Sequence, residues 1–348
     1  MILPETYLAT ILLMILSMVC FGSWASTFKA SRLRFELYYF DFGLGFLMAA
    51  VILAVTAGAM GFDGFSFVDD IQHAGKREDF YAFMAGVIFN LANMLLIAAV
   101  SVSGMAVAFP IAAGLTLIIG ILASQFEKSS GNPLLTFAGC VLVFVAMLLA
   151  GAAYRFINEI RHEASAKAGK AKSTRRPVAV KGIVLAAISG LLMSPFYPLV
   201  TNAGKGDLGL GPYSISVIVA LAAFLTTFVF NLFFINLPVE GNPVDFMDYF
   251  KASPRTHGWA VLGGMMWCGG LLAGLTAASA ESVHVALGLR YGLSQAFTLV
   301  AILWGVFVWK EFQDGDSRTK ALVGLMFLLF GLGVTLVSMA QTFVVRPS

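Results

Sequence analysis

The 348-residue chain is 59% hydrophobic and only 12% charged, a balance that excludes an ordinary soluble globule and leaves most of the chain to be placed in lipid. Its net charge of +3 hides a strong asymmetry between loops, and no nucleic acid is expected as a partner. Cys20, Cys140 and Cys268 fall in apolar runs without the spacing of a zinc or redox motif. They read as packing residues, and no metal or cofactor is expected.

A hydrocarbon layer about 30 Å thick needs about 20 apolar residues per helix, because backbone amides cannot stay unpaired there. Runs that meet this requirement lie at roughly 7–28, 36–58, 80–103, 105–124, 134–154, 179–200, 213–235, 257–278, 283–308 and 320–342. They predict an all-α polytopic membrane protein with ten transmembrane helices. The first run keeps Trp24 and Lys29 in place of a small-residue cleavage site, and it reads as a retained helix.

Polar groups inside spans are costly and normally face the bundle interior or a water-filled cavity. In the first span Ser23-Trp24 interrupts an aliphatic run, as an interfacial anchor or as part of a solute site. Asp41 opens the second span. Asn90 and Asn93, three residues apart in the third span, share a helical face. They can pair with a solute's carbonyl and amine groups or tie one helix to another. Pro110 suggests a bend in the fourth span, and Ser194-Pro195-Phe196-Tyr197-Pro198 breaks the sixth. Trp267 in the eighth span joins Trp24 and Tyr197 as an aromatic candidate. The ninth region is the most polar, with Glu281, His284, Arg290, Tyr291, Ser294 and Gln295. Arg290 falls about 12 Å along its helix, too deep for a loop charge. Trp24, Ser23, Asn90, Asn93, Tyr197, Trp267, Arg290, Tyr291 and Gln295 are therefore the candidate solute residues, and Asp41, Glu281 and His284 the candidate proton-coupling residues.

Sixteen Lys and Arg residues fall on the odd-numbered connections and five on the even ones, with Arg290 inside a span. The positive-inside rule then makes the odd connections cytoplasmic, including the basic 155–181 loop, and puts both termini outside. In that loop Gly169-Lys170 is followed by Ala171 where a phosphate-binding loop needs Ser or Thr. The halves also align without a gap. Gly86–Leu115 laid on Gly264–Leu293 matches Ala99 with Ala277, Ser101 with Ser279 and Gly114 with Gly292. A five-helix unit crosses the membrane an odd number of times, so a second copy is inverted. The expected organisation is a repeat at 1–158, a basic linker at 159–178 and an inverted repeat at 179–348.

Several short motifs carry a family resemblance over nearly the whole chain: Phe21-Gly22-Ser23-Trp24, Tyr39-Phe40-Asp41, Ala85-Gly86, Leu91-Ala92-Asn93, Gly258-Trp259-Ala260, Gln295-Ala296, Trp304-Gly305 and Glu311-Phe312. In their order and spacing the chain resembles the ureide permeases of the drug/metabolite transporter superfamily. That resemblance implies ten spans in two inverted five-helix repeats and proton-coupled uptake of small polar solutes such as allantoin or uracil. The expected partners are such a solute, protons (or Na+) and the lipid bilayer, in a monomer or homodimer of a bacterial inner membrane. Glucose, ribose and rhamnose permeases share the general type, so a sugar is the alternative substrate. An exporter and a membrane receptor are the remaining readings. An enzyme is disfavoured, because no nucleophile–base pair or cofactor motif is present.

Overall fold

The computed structural model describes residues 1–61, 64–127, 131–167, 180–239, 241–280 and 283–342. Among these, ten segments are long and apolar enough to cross a membrane. The first consists of α1 (Tyr7–Ser23) and α2 (Ala25–Ser31), and the second is α3 (Phe35–Val55). A short α4 (Phe67–His73) precedes α5 (Lys76–Ser103), α6 (Met105–Glu127) and α7 (Pro133–Lys167). The sixth span is α8 (Val180–Met193) with α9 (Phe196–Ala203), followed by α10 (Pro212–Asn236), a one-turn α11 (Met247–Lys251) and α12 (Pro254–Ala278). The ninth is α13 (Leu287–Gln295) and α14 (Phe297–Leu303), continued by a π-helical turn at Trp304–Val308, and the tenth is α15 (Ser317–Ala340). Large apolar side chains such as Leu8, Leu12, Val229, Leu328 and Phe307 are exposed along these helices, the surface a bilayer solvates.

Two local expectations change. Trp24 keeps right-handed helical angles and its N–H bonds to the Cys20 carbonyl, so the first span bends little there. The sixth span is interrupted at Ser194-Pro195, as Pro195 predicts. The fifth span outruns its apolar stretch and stays helical to Lys167, through residues expected to belong to the linker. Charged contacts hold this extension: Arg161 donates to the Glu311 carbonyl at 2.7 Å and Arg318 lies over the Phe156 ring at 4.2 Å. The rest of the expected linker, 168–179, lies outside the described residues.

The helices form two compact units, each built from both halves of the chain. The first comprises 1–97 and 192–285, the second 98–191 and 286–348. In the first unit, α3 packs against α12 and α10. The closest approach is backbone to backbone: a Cβ at Gly45 would strike Val261, and one at Gly264 would strike the Phe42 carbonyl. Small residues at such crossings are how helices associate in lipid, where dispersion contacts replace the hydrophobic drive. In the second unit α7 and α15 meet through Gly139 and Gly333 in the same way. There Gly104, at φ +86°, is the sole residue between α5 and α6. It leaves room for the Glu311 carboxylate, which accepts from the Met105 and Ala106 amides at 2.7 and 2.8 Å. A carboxylate at a helix N-terminus satisfies amides that have no intrahelical acceptor.

Gly264→Val should therefore abolish monodisperse folded protein on size exclusion, whereas Gly258→Ala, where an added Cβ meets nothing within 4 Å, should leave thermal stability unchanged or slightly raised. Glu311→Ala strands two buried amides and should cost about 2 kcal/mol in unfolding measurements in detergent.

Candidate functional site

The first unit encloses its polar groups between α3, α5 and α10. Asn90 and Asn93 are both about 1% exposed, but their surroundings differ. Asn90 donates to Thr226 at 2.9 Å and accepts from Thr227 at 3.2 Å, so its carboxamide ties α5 to α10. Asn93, nearly one turn further on, has a buried Nδ2 with no hydrogen-bond partner among the described residues. The buried Tyr39 hydroxyl also lacks a hydrogen bond of standard geometry, and Asn93 is the side chain that faces it as a donor. Of the two asparagines, Asn93 is the one whose amide donor is left over.

Aromatic faces adjoin this pair. Trp267, 5% exposed, packs on Phe89 with centroids 3.9 Å apart and on Phe46 at 4.9 Å, with Phe21 and Phe196 at 5.3 and 6.0 Å. Trp24 is buried and meets Phe42 at 5.2 Å. Ser23 is buried beside it in the chain. Tyr197 is 68% exposed, and it is the preceding Phe196 that joins the Trp267 cluster.

Arg290, Tyr291 and Gln295 belong to the second unit. All three are half-buried on α13, with the Arg290 Nε enclosed and lacking a hydrogen-bond partner. Gln295 contacts the Ser294 hydroxyl at 3.4 Å. Thr298, fully buried with an unpartnered hydroxyl, was not singled out from the sequence. It looks like any helical threonine until its neighbours are known.

The coupling candidates separate sharply. Glu281 lies outside the described residues, and His284 is exposed ahead of α13. Asp41 is 3% exposed, and both carboxylate oxygens are engaged: the Tyr249 hydroxyl donates to Oδ1 at 2.6 Å, and the His257 Nδ1 lies 2.6 Å from Oδ2. Burial, followed by the Asp41 carboxylate, pushes the Tyr249 phenol well above its ordinary value, so the residue remains a donor. Neither partner was a sequence candidate. The one available signal was a histidine in the first turn of an otherwise apolar span.

Near this end Arg34 pairs with the buried Glu36 at 2.9 Å and donates to the Asn242 carbonyl at 2.7 Å. Val244 packs with Leu37 and Ile235. Residues 242–244 are thereby held against the start of α3 and the end of α10.

Ten apolar spans, with polar and aromatic side chains buried among the described residues, define an integral membrane protein of the α-helical polytopic class. The ureide permease family matches residues 152–341, more than half of the chain, and the chain belongs to that family. It is 25% identical to Ureide permease 4 of Arabidopsis thaliana, over 93% of this chain and 94% of that protein. It is 23% identical to Ureide permease 1 of the same plant, over 92% and 94% respectively. A solved crystal structure superposes with a TM-score of 0.48 at 15% identity, covering 95% of this chain and 99% of its own, too loose a likeness to define a shared fold.

The two asparagines should separate in stability measurements. Asn90→Ala breaks a made interhelical tie and should cost about 1 kcal/mol, whereas Asn93→Ala loses only a loose contact with Tyr39 and should cost less in the same thermal unfolding assay.

Proposed function

We propose that the protein is a secondary active permease that takes up a ureide or nucleobase-like solute together with protons by alternating access. The carrying observation is the buried Asn93 Nδ2 and the buried Tyr39 hydroxyl, which face each other and have no third group completing their hydrogen bonds, in a unit lined with aromatic rings. A flat solute with adjoining N–H and C=O groups answers these requirements. Its carbonyl accepts from Asn93 Nδ2, its N–H donates to Tyr39 Oη, and its face lies on an aromatic ring. Membership of the ureide permease family supports the same solute class.

In this reading Trp24, Ser23, Asn93, Trp267 and Phe196 shape the solute site, with Asn90 positioning its helix. The halves 1–158 and 179–348 act as inverted repeats that exchange outward-open and inward-open forms. The odd connections face the cytoplasm, following their excess of Lys and Arg, and both termini lie outside.

A thermal-shift panel of the detergent-purified protein tests the substrate class. Allantoin or uracil at about 100 times its Kd should stabilise the wild type by about 2.7 kcal/mol, and Asn93→Ala should lose that shift while remaining folded. Stabilisation by glucose, ribose or rhamnose, with none by the ureides, would overturn the assignment.

A further inference from the structure

Asp41 lies about 9 Å along α3 from Phe35, enclosed by protein at 3% exposure. An isolated carboxylate is costly there. Its partners stand in graded exposure: the His257 side chain is 24% exposed, that of Asp41 4%. His257 is in the first turn of α12, and Tyr249 on α11 stacks edge-on against it with centroids 4.6 Å apart. The trio thus runs from the surface of the unit to its interior, with a histidine at the wet end and a carboxylate at the dry end.

The other titratable neighbour of Asp41 is Tyr38, one turn back on α3 and within electrostatic reach. On α10 the polar groups facing α3 are neutral: Asn231 donates to the Glu36 carbonyl, and Thr227 faces Gly43. Arg34 is engaged by Glu36, and Lys251 by Asp248. Lys29 of α2, Arg32 after it, Arg255 of α12 and Asp245 before α11 complete the charged groups on the packed elements.

We infer that Asp41 and His257, steadied by Tyr249, form the group that binds and releases the coupling proton. The inference rests on the proton-coupled reading above. One proton is shared across the 2.6 Å contact between Asp41 Oδ2 and His257 Nδ1. With it, the pair is neutral overall, as carboxylate and imidazolium or as carboxyl and imidazole. Without it, the pair carries a net charge of −1 in a nearly water-free place. The loaded, neutral pair can be enclosed and carried through the conformational exchange, and the empty, charged pair resists enclosure. That difference is what coupling requires, because only a state-dependent free energy can bias the exchange.

Tyr38, within electrostatic reach of Asp41, is itself hydrogen-bonded to the first span. Tyr38 Oη is 2.7 Å from Thr27 Oγ1, which donates to the Trp24 carbonyl at 2.7 Å. The space for this contact exists because residue 263 is glycine; a Cβ there would collide with both hydroxyl oxygens. A change in the charge of Asp41 is therefore felt one helical turn away at Tyr38 and, through Thr27, at the segment carrying Ser23 and Trp24.

The experiment compares two fluxes of radiolabelled allantoin and uracil in proteoliposomes: exchange of external label for internal unlabelled solute, which needs no net proton movement, and accumulation driven by an inward gradient of about one pH unit. For one proton per neutral solute that gradient sustains about tenfold accumulation. The wild type should show both fluxes. Asp41→Asn and His257→Gln, which keep polar partners but cannot share the proton, should exchange solute and fail to concentrate it. Wild-type accumulation in Asp41→Asn overturns the inference. Loss of both fluxes from monodisperse variants also overturns it, because the pair would then serve solute binding. If wild-type vesicles carry neither solute, it is the proposed substrate that fails. The inference is then decided by infrared difference spectra in detergent as the medium is acidified. A carboxyl or imidazolium band that rises in the wild type and is missing or shifted in Asp41→Asn supports it; no such band in the wild type, or the same band in both proteins, overturns it.

Discussion

The first unit depends on one contact, the meeting of α3 and α12 with no side chain between them. Gly45 and Gly264 face backbone on the opposite helix, and Gly263 leaves room for two hydroxyls. Because the axes are drawn together, other residues on the two helices meet as well. Phe46 reaches Trp267 and Asp41 reaches His257, while Tyr38 reaches Thr27 of α2 across the gap that Gly263 leaves. A methyl group at the crossing would separate the first two pairs at once. Lipid rewards this geometry, because apolar side chains gain little by leaving hydrocarbon and helices bind through proximity and hydrogen bonds.

The second constraint is that unmet hydrogen-bonding groups are expensive inside protein and lipid alike. Most threonines and serines in the spans meet it locally by donating to a carbonyl three or four residues earlier, as Thr276, Thr335 and Ser338 do. Against that background Asn93 Nδ2 and the Tyr39 hydroxyl are buried donors that have only each other and lack a bond of standard geometry. Asn90 shows the contrasting solution, a carboxamide consumed by two threonines of a neighbouring helix.

The spans were legible because their signal is length and apolarity, quantities carried by each segment alone. Helix ends were less so. Apolarity stops near Tyr154, yet α7 continues to Lys167 because charged contacts with residues 311–318 sustain it, and these come from far along the chain. The candidate site was half legible. Spacing placed Asn90 and Asn93 on one face but could not say which was already paired, since the deciding threonines are over 130 residues away. Asp41 was visible as a charge at a span end. Its partners, at separations of 208 and 216 residues, were not. The Tyr197 ring also shows how proline breaks mislead: the interruption is real, but the inward ring belongs to Phe196.

The interleaving of the two units has a consequence for biogenesis. The chain is inserted from its N-terminus, yet the first unit draws residues 192–285 and the second 286–348 from the later half. Neither unit can close when the first five spans have entered the membrane. The glycine face of α3 must wait for α12, and that of α7 for α15. During that interval the small-residue stripes that later join helices are open to lipid and to one another. The early half is thus an assembly intermediate that must resist pairing with itself, and chains truncated in the middle would carry two unfinished units, not one finished one.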